Sequence, residues 1–201
     1  MFTHKGSNIV IRLLCSKQIY LGVTALVSTM GIVALAPIAA AEQLAQSFQL
    51  PPELEELAYF HGTWGCEQPA DSPSSEPSRF TWTVRPDLND FWYIGHAEEM
   101  VSEANSEPIN SREFLGYDAA AQHLVRLVVV GNGNSLNLTS TGWQDEEFVW
   151  EGELVRMGQS MPIREVITRE NNNRFSATYF IRNEANDGWQ SAVNEVCDRY
   201  I

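Results

Sequence analysis

The sequence predicts an all-β fold: a single antiparallel up-and-down barrel of about ten strands, preceded by one short helix. Three observations predict it. Segments of alternating character span about 130 residues, tight turns rich in Gly, Asn and Asp separate them, and Cys66 and Cys197 stand at the two ends of that region. Because the first and last strands of a closed barrel are neighbours, a disulfide between these cysteines would lock the seam. A stacked sandwich and two buried thiols are the alternatives.

The first 41 residues have the order of a secretory signal. Three basic residues and no acid stand in the first 18 positions, an apolar run covers 19–36, and three alanines precede Glu42. A retained membrane anchor is the alternative, since the apolar run approaches the length that a bilayer needs. The sequence predicts a signal peptide over 1–41, one barrel domain over 42–201, and a protein exported to the periplasm or the extracellular space.

The predicted mature chain is strongly acidic. It carries all 26 acids against ten arginines and no lysine, a formal charge of −16. Such a field repels phosphate backbones and anionic lipid headgroups, which argues against nucleic-acid binding and against membrane binding after signal cleavage. The missing lysines exclude Schiff-base chemistry. About 160 residues suffice for one domain with its own core.

One segment has helical character. It begins with proline, carries three glutamates near the positive end of the helix dipole, and places its apolar residues on one face. The sequence therefore predicts a short lead-in helix over Pro51–Tyr59.

Ten segments of strand character follow the helix. In the ninth, every second residue from Phe175 to Ile181 is apolar, the pattern of a strand with one dry and one wet face. In the third, both faces carry aromatic residues, which predicts burial on both sides. The predicted strands are Thr63–Gln68, Arg79–Arg85, Phe91–Ser102, Ser111–Tyr117, His123–Val130, Ser135–Thr141, Phe148–Met157, Pro162–Arg169, Phe175–Arg182 and Gly188–Asp198.

Turn-forming residues separate these strands and indicate antiparallel neighbours. They occur at Gly131–Asn134, Gln144–Glu147, Asn171–Asn173 and Asn186–Gly188. A longer stretch rich in proline and serine, Pro69–Ser78, predicts a flexible surface loop of the kind that covers a barrel mouth.

Several short motifs carry a resemblance to a known class of proteins. Gly-Thr-Trp occurs at 62–64, Gly-Tyr-Asp at 116–118, Arg-Glu at 164–165 and Asp-Gly-Trp at 187–189. In this order and spacing the chain resembles small secreted lipocalin-like (calycin-type) bacterial barrels, many of them of unknown function. The resemblance implies an up-and-down barrel with an internal cavity for a small, mostly apolar ligand. It implies no catalytic residue.

Candidate ligand-binding side chains are aromatic residues and arginines in the predicted strands. Aromatic walls suit apolar ligands, and a guanidinium inside a barrel would anchor an anionic head group; core packing and outer-face charge are the alternatives. Arg126 stands out because the rest of the segment from Leu124 to Val130 is apolar, so its charge needs a partner. The candidates are Trp82, Trp92, Tyr93, His96, Arg126, Arg164 and Tyr179.

The sequence predicts neither a metal site nor a cofactor. The histidines after the signal segment, His61, His96 and His123, do not have the spacing of a zinc motif. The chain is also similar to nitrobindin-like barrels in its Gly-x-Trp, and those bind haem through a late-strand histidine. No histidine follows His123, so this resemblance implies haem only if His96 serves instead.

These observations predict an exported barrel that binds a small apolar or amphipathic molecule. One alternative is an envelope interaction or structural module with a filled core. The other is an enzyme, an isomerase or hydrolase, that uses the cavity with His96 or Tyr93 in an acid–base role. A cavity separates the filled-core alternative from the other two, and strongly shifted pKa values inside it favour the enzyme.

Overall fold

The structure is a computed structural model that describes residues 49–69, 77–102, 106–182 and 188–200. The predicted signal peptide lies outside these residues, as do most of the predicted loop after Pro69 and the first part of the predicted turn at Asn186–Gly188. The helical part of the described chain is neither long nor apolar enough to cross a membrane.

Within the described residues the chain forms one 3₁₀ helix and eleven strands. The helix covers Pro52–Phe60. The strands are β1 Gly62–Gln68, β2 Ser78–Asp87, β3 Trp92–Glu99, β4 Asn110–Asp118, β5 His123–Val130, β6 Ser135–Ser140, β7 Trp143–Gln144, β8 Glu147–Arg156, β9 Gln159–Asn171, β10 Arg174–Ile181 and β11 Gln190–Arg199.

Ten of the strands close into an antiparallel barrel. The order along the sheet is β6-β5-β4-β3-β2-β1-β11-β10-β9-β8-β7, and an additional pairing of β6 with β8 closes it. The predicted fold class and all ten predicted strands are confirmed. The bounds of most strands differ from the prediction by one to three residues, most at β3, which ends at Glu99 and not at Ser102, and at β9, which begins at Gln159 and not at Pro162. The two-residue strand β7, which pairs with β8, is absent from the prediction.

The predicted lead-in helix is confirmed, one residue later than predicted and in 3₁₀ form. It buries Leu54, Leu57 and Phe60. The Phe60 ring is fully buried among aromatic neighbours, with its centroid 5.3 Å from that of Phe148 and 5.7 Å from that of Trp143. The helix therefore closes one end of the barrel, which is called the base below.

The base is completed by a tryptophan and an arginine from the first and last strands. Trp64 is fully buried, and its Nε1 donates a hydrogen bond of 2.9 Å to the Phe60 carbonyl. The Arg199 guanidinium lies 4.0 Å from the centroid of the Trp64 ring and donates to the Tyr59 carbonyl at 2.7 Å. These contacts join the helix, β1 and β11 in one packed unit.

The barrel has two seams where distant parts of the chain meet. At the first, Cys66 of β1 and Cys197 of β11 are directly paired and joined in the predicted disulfide. Closing a loop of 131 residues stabilises the fold by about 5 kcal/mol on the chain-entropy account. At the second seam β6 and β8 approach so closely that a Cβ on Gly152 would lie 2.0 Å from the Asn137 carbonyl oxygen.

The outer face of β3 to β5 is unusually apolar. The Trp92 ring covers Gly116 of β4, so closely that a Cβ there would lie 2.6 Å from the ring. Phe114 and Leu127, which pair across β4 and β5, remain 40% and 44% exposed. In the described part of the chain no helix covers this face. The predicted two-sided burial of β3 is thus met only in part, by the contact of its own Trp92 with Gly116 of β4.

Candidate active-site cavity

A cavity of about 230 Å³ lies inside the barrel. Its lining includes the start of β4 and the end of β5, whereas the 3₁₀ helix contacts the end of β4, near Tyr117. The cavity therefore occupies the half of the barrel away from the base. Much of its wall is apolar, contributed by Phe80, Val128, Val130, Leu136, Ile167 and Phe175.

A second depression, of about 440 Å³, lies on the outside of the β1–β11 seam. Four of its charged side chains are exposed and form ion pairs, Arg79 with Glu67 at 2.7 Å and Arg174 with Asp198 at 3.0 Å, and the fifth, Arg199, is bonded to backbone carbonyls. Because such surface pairs are solvated, they would contribute little to the free energy of binding a ligand. The interior cavity is the better candidate site although it is smaller.

The polar floor of the cavity is organised around Arg126. This side chain points inward from β5, where it alternates with outward-facing Val125 and Leu127. Its Nε donates to Glu113 Oε2 of β4 at 2.9 Å, and its Nη1 donates to Glu165 Oε2 of β9 at 2.5 Å. The charge in an otherwise apolar strand thus has two buried carboxylate partners, one on the adjacent strand and one across the barrel.

A second part of the floor comes from the last two strands. The Tyr179 hydroxyl of β10 lies 2.9 Å from Glu165 Oε1 and 3.4 Å from Glu195 Oε1 of β11. Gln68 of β1 donates to Glu195 Oε2 at 3.3 Å. A tyrosine hydroxyl has one proton, so the shorter contact is the donation to Glu165. Glu195 is 6% exposed and lines the cavity, and no cation among the described residues forms an ion pair with it.

Burial sets the charge states of this floor. For Arg126, burial opposes the charge, but Glu113 and Glu165 outweigh it and raise the pKa well above its usual value. Burial raises the pKa of Glu165. Arg126 and the hydrogen bond from Tyr179 oppose this effect, but the net result is still a raised pKa. Burial, reinforced by the negative charge of Glu165, raises the pKa of Glu195 to about 8. At neutral pH Glu195 is therefore protonated and can donate to the Tyr179 oxygen.

One buried donor beside the cavity has no partner among the described residues. Trp82 is 6% exposed and lines the cavity, and its Nε1 finds no acceptor in the described part of the chain. Gly95 makes room for it, since a Cβ at this position would lie 3.2 Å from Trp82 Nε1 and 3.0 Å from the Glu113 Cβ. Buried donors nearly always have an acceptor, so the protein alone does not complete this wall.

A family model described as "Protein of unknown function (DUF1579)" matches residues 51–199. The chain belongs to this family. The match covers the helix and all the barrel strands, so the cavity lies within the part that defines a DUF1579 protein. A comparison with the curated proteins found no match.

One solved structure shows the same fold in a distant protein. The crystal structure of Rv2717c from M. tuberculosis aligns with a TM-score of 0.54 at 12% identity, covering 76% of this chain and 100% of that one. A redesigned β-barrel and EF1p2_mFAP2b bound to DFHBI both align at a TM-score of 0.40, with 10% and 11% identity, over 73% and 74% of this chain and 96% and 99% of theirs. The first likeness shows the barrel fold.

Three of the seven predicted ligand-binding residues of this DUF1579 barrel line the cavity: Trp82, Arg126 and Tyr179. Tyr93 is half-buried and packs against the core but does not line the cavity, and burial, together with the Asp90 charge, raises its pKa.

The other three candidates face the outside of the barrel, which corrects the expectation that they line the interior. Trp92 and His96 have the same parity on β3 as exposed Glu98, and the His96 Nε2 lies 3.1 Å from Glu98 Oε1. Arg164 is half-buried, at an outward position of β9, and pairs with Glu151 of β8. A role for His96 in binding haem inside the barrel has no geometric support. The described residues contain no group of three or more His, Cys, Asp or Glu placed to hold a metal ion.

Sequence reasoning missed the acidic half of the floor, Glu113, Glu165 and Glu195, together with Gln68. A signal was present for two of them. A disulfide at the seam requires Cys66 and Cys197 to point to the same face, the burial preference of cysteine favours the inner one, and residues two apart in a strand share a face. Gln68 and Glu195 stand two positions from these cysteines and had to face the interior as well.

Proposed function

We propose that the protein is an exported barrel that binds a small apolar or amphipathic molecule in its interior cavity. The observation that carries the proposal is a cavity of about 230 Å³ with an apolar wall and a small set of buried polar groups at its floor. That combination is typical of small-molecule sites. The order of the N-terminal segment and the Cys66–Cys197 disulfide support export to an oxidising compartment.

The size of the cavity limits the ligand. A protein cavity of about 150 Å³ accommodates benzene, and drug-sized ligands occupy roughly 300 Å³ or more. At about 230 Å³ the cavity accommodates a molecule with one ring or a short branched chain. A long-chain lipid or a macrocycle would not fit in it.

Two observations bear on the alternatives. The existence of the cavity argues against a structural module with a filled core. The raised pKa of Glu195, about 8, favours an enzyme as the second candidate, since a buried carboxyl that titrates near neutrality can transfer protons. His96 and Tyr93 do not line the cavity, so the acid–base role would belong to Glu195.

Native mass spectrometry of the mature protein, purified from its own compartment, tests the binding proposal. The expected result is an added mass that disappears on denaturation. In Val128→Phe the new ring occupies the cavity, so the added mass should be lost. Val129→Phe places the same ring at the adjacent, outward position, which is 43% exposed. This variant should retain the added mass.

Retention of the added mass in folded Val128→Phe would place the ligand elsewhere and contradict the proposal. A bare mass, combined with no uptake of benzene or toluene by the purified protein, would also contradict it. Circular dichroism establishes that both variants are folded, because overpacking a core site costs about 1–3 kcal/mol.

A further inference from the structure

The floor of the cavity has more acid than base. Three buried glutamates, Glu113, Glu165 and Glu195, face one arginine, Arg126. The guanidinium is already bonded to the first two at 2.9 and 2.5 Å. Within the described residues the bonding partners of Glu195 are the neutral side chains of Tyr179 and Gln68. The carboxyl that lacks a cation is thus on the cavity wall.

We propose that the cavity binds a compact apolar molecule with one cationic head group, an amine or an amidine, whose charge pairs with the carboxylate of Glu195. The inference rests on the proposed function and specifies its ligand class. Buried charges in proteins are stable when they are paired, and such a ligand supplies the one cation that the floor lacks.

The aromatic wall agrees with this ligand class. Phe80, Trp82 and Phe175 line the same cavity as Glu195. Aromatic faces attract cations, and Arg126 already uses the Trp82 ring in this way, with the guanidinium carbon 5.5 Å from the ring centroid. An apolar body would pack against the wall while its head group reaches the floor.

The unpartnered Trp82 Nε1 is an independent sign that this site is incomplete without an occupant. It is a buried donor beside the cavity for which the described chain provides no acceptor. A protonated amine or amidine head group is itself a donor, so a water that the bound molecule orders supplies that acceptor.

The same charge balance argues against a carboxylate ligand anchored by Arg126. The Nε and Nη1 donors of the Arg126 guanidinium are already bonded to Glu113 and Glu165. An added anion would increase the surplus negative charge of the floor. We therefore expect the cavity to prefer a cationic head group, and not the anionic head group that the sequence predicted for Arg126.

Binding of a cation is coupled to release of a proton. Near neutral pH Glu195 is protonated, and its proton leaves to solvent when the ligand's charge takes its place. The titratable groups that line the cavity with Glu195 are, strand by strand, Glu99 of β3, Glu113 of β4, Arg126 of β5, Glu165 of β9 and Tyr179 of β10, and the polar residues there are Gln68 of β1 and Asn110 and Ser111 of β4. Burial and the Glu165 charge raise the Glu195 pKa more than Gln68, Arg126 and Tyr179 lower it.

Three probes of the same shape test the proposal: benzamidine, benzamide and benzoate, which differ in charge but not in size. Calorimetry on the mature protein should show benzamidine binding at least about tenfold tighter than benzamide at pH 8.5, with benzoate weakest. Because one proton is displaced, the benzamidine affinity should rise about tenfold per pH unit between pH 6 and pH 7.5, while the benzamide affinity stays constant.

Glu195→Gln provides the matched variant, since glutamine keeps the shape and the hydrogen bonds of a neutral Glu195 but cannot ionise. Its benzamidine affinity should fall at least about tenfold at pH 8.5 and lose its pH dependence, whereas its benzamide affinity should not change. Glu147→Gln, at an exposed position of β8, removes the same charge from the surface and should leave all three affinities as they are.

The outcomes separate the two proposals. If benzamide binds as tightly as benzamidine, or if Glu195→Gln leaves benzamidine binding intact, the cation preference is wrong and the apolar cavity function stands. Tightest binding of benzoate would reverse the assignment in favour of Arg126. If none of the three probes binds, both proposals fail.

Discussion

Arg126 shows what a single residue contributes to both the fold and the site. It is 6% exposed, so its charge is stable only because Glu113 and Glu165 neutralise it. The need for a partner could be predicted from the apolar strand around it. The identity of the partners could not, because Glu165 lies 39 residues away in the sequence and meets Arg126 only after the barrel has closed.

Replacement of Arg126 by leucine leaves two buried glutamates without a cation. We expect Arg126→Leu to lower the free energy of unfolding by about 3–5 kcal/mol, the usual cost of breaking a buried pair. Urea unfolding followed by tryptophan fluorescence measures it. Arg156→Leu, at an exposed position of β8, should change stability by no more than about 0.5 kcal/mol.

A second substitution separates charge from packing in this experiment. Adding Glu165→Gln to Arg126→Leu removes one of the stranded charges and should recover part of the lost stability. If the double variant is less stable than Arg126→Leu alone, the loss comes from packing and not from the unpaired carboxylates.

Glu195 should make stability depend on pH. Its folded pKa of about 8 lies above its ordinary value of 4.5, so between these values the folded state holds a proton that the unfolded state has lost. The contribution of Glu195 to the free energy of unfolding is then complete below about pH 4.5, and it is lost as the pH rises towards 8. We expect this residue to account for a decrease on the order of 4 kcal/mol between pH 5 and pH 8, at about 1.4 kcal/mol per pKa unit.

The measurement is urea unfolding at a series of pH values for the natural sequence and for Glu195→Gln. The glutamine variant should lose markedly less stability over this range, since it has no proton to give up. Parallel curves for the two proteins would show that Glu195 does not carry the pH dependence.

At the scale of elements, alternation and turn chemistry predicted the barrel strands well. Residues two apart share a face, so one reliable inward residue sets the parity of a whole strand. The disulfide cysteines could have done so for β1 and β11. Errors occur where a strand has apolar residues on both faces, as in β3, because its pattern does not distinguish the inner wall from the outer.

Gly152 decides how closely β6 and β8 can approach at the second seam. A Cβ there would lie 2.0 Å from the Asn137 carbonyl oxygen, and a backbone atom of a paired strand cannot move away freely. We expect Gly152→Ala to destabilise the protein by about 3 kcal/mol or more, at the upper end of overpacking costs. Thermal unfolding followed by circular dichroism measures the effect.

Gly188→Ala is the control for that variant. A Cβ at Gly188 meets nothing within 4 Å, so the substitution should be close to neutral. Equal melting temperatures for the two alanine variants would mean that the β6–β8 seam tolerates a wider spacing than the structure shows.

At the scale of the whole molecule, closure is what creates the site. The ring of strands brings β1 next to β11 and β6 next to β8, and this places side chains from six strands around one floor. The base is filled by Phe60, Trp64 and their aromatic neighbours, and the cavity lies in the opposite half of the barrel. The cavity is therefore a consequence of uneven packing between the two ends of the barrel.

The disulfide should stabilise the whole barrel. Reduction of Cys66–Cys197 removes the constraint on a loop of 131 residues, and we expect the free energy of unfolding to fall by about 5 kcal/mol. Urea unfolding with and without a reductant measures this. The Cys66→Ser/Cys197→Ser variant should have the stability of the reduced protein and should not respond to the reductant.

A thiol titration of the denatured, unreduced mature protein completes this test. No reactive thiol is expected. Two reactive thiols would show that the bridge does not form in the protein's own compartment, and the stabilisation assigned to it would then be absent.

The sequence by itself determined the fold class, the strand positions, the lead-in helix and the cysteine pair at the seam. These depend on local periodicity, turn residues and parity, which are properties of neighbours in the chain. Only the tertiary structure decided that Trp92, His96 and Arg164 face outward while three glutamates and Arg126 share a buried floor. The physical reason is that burial, and with it charge pairing and pKa, depends on residues that meet only when distant strands close into a barrel.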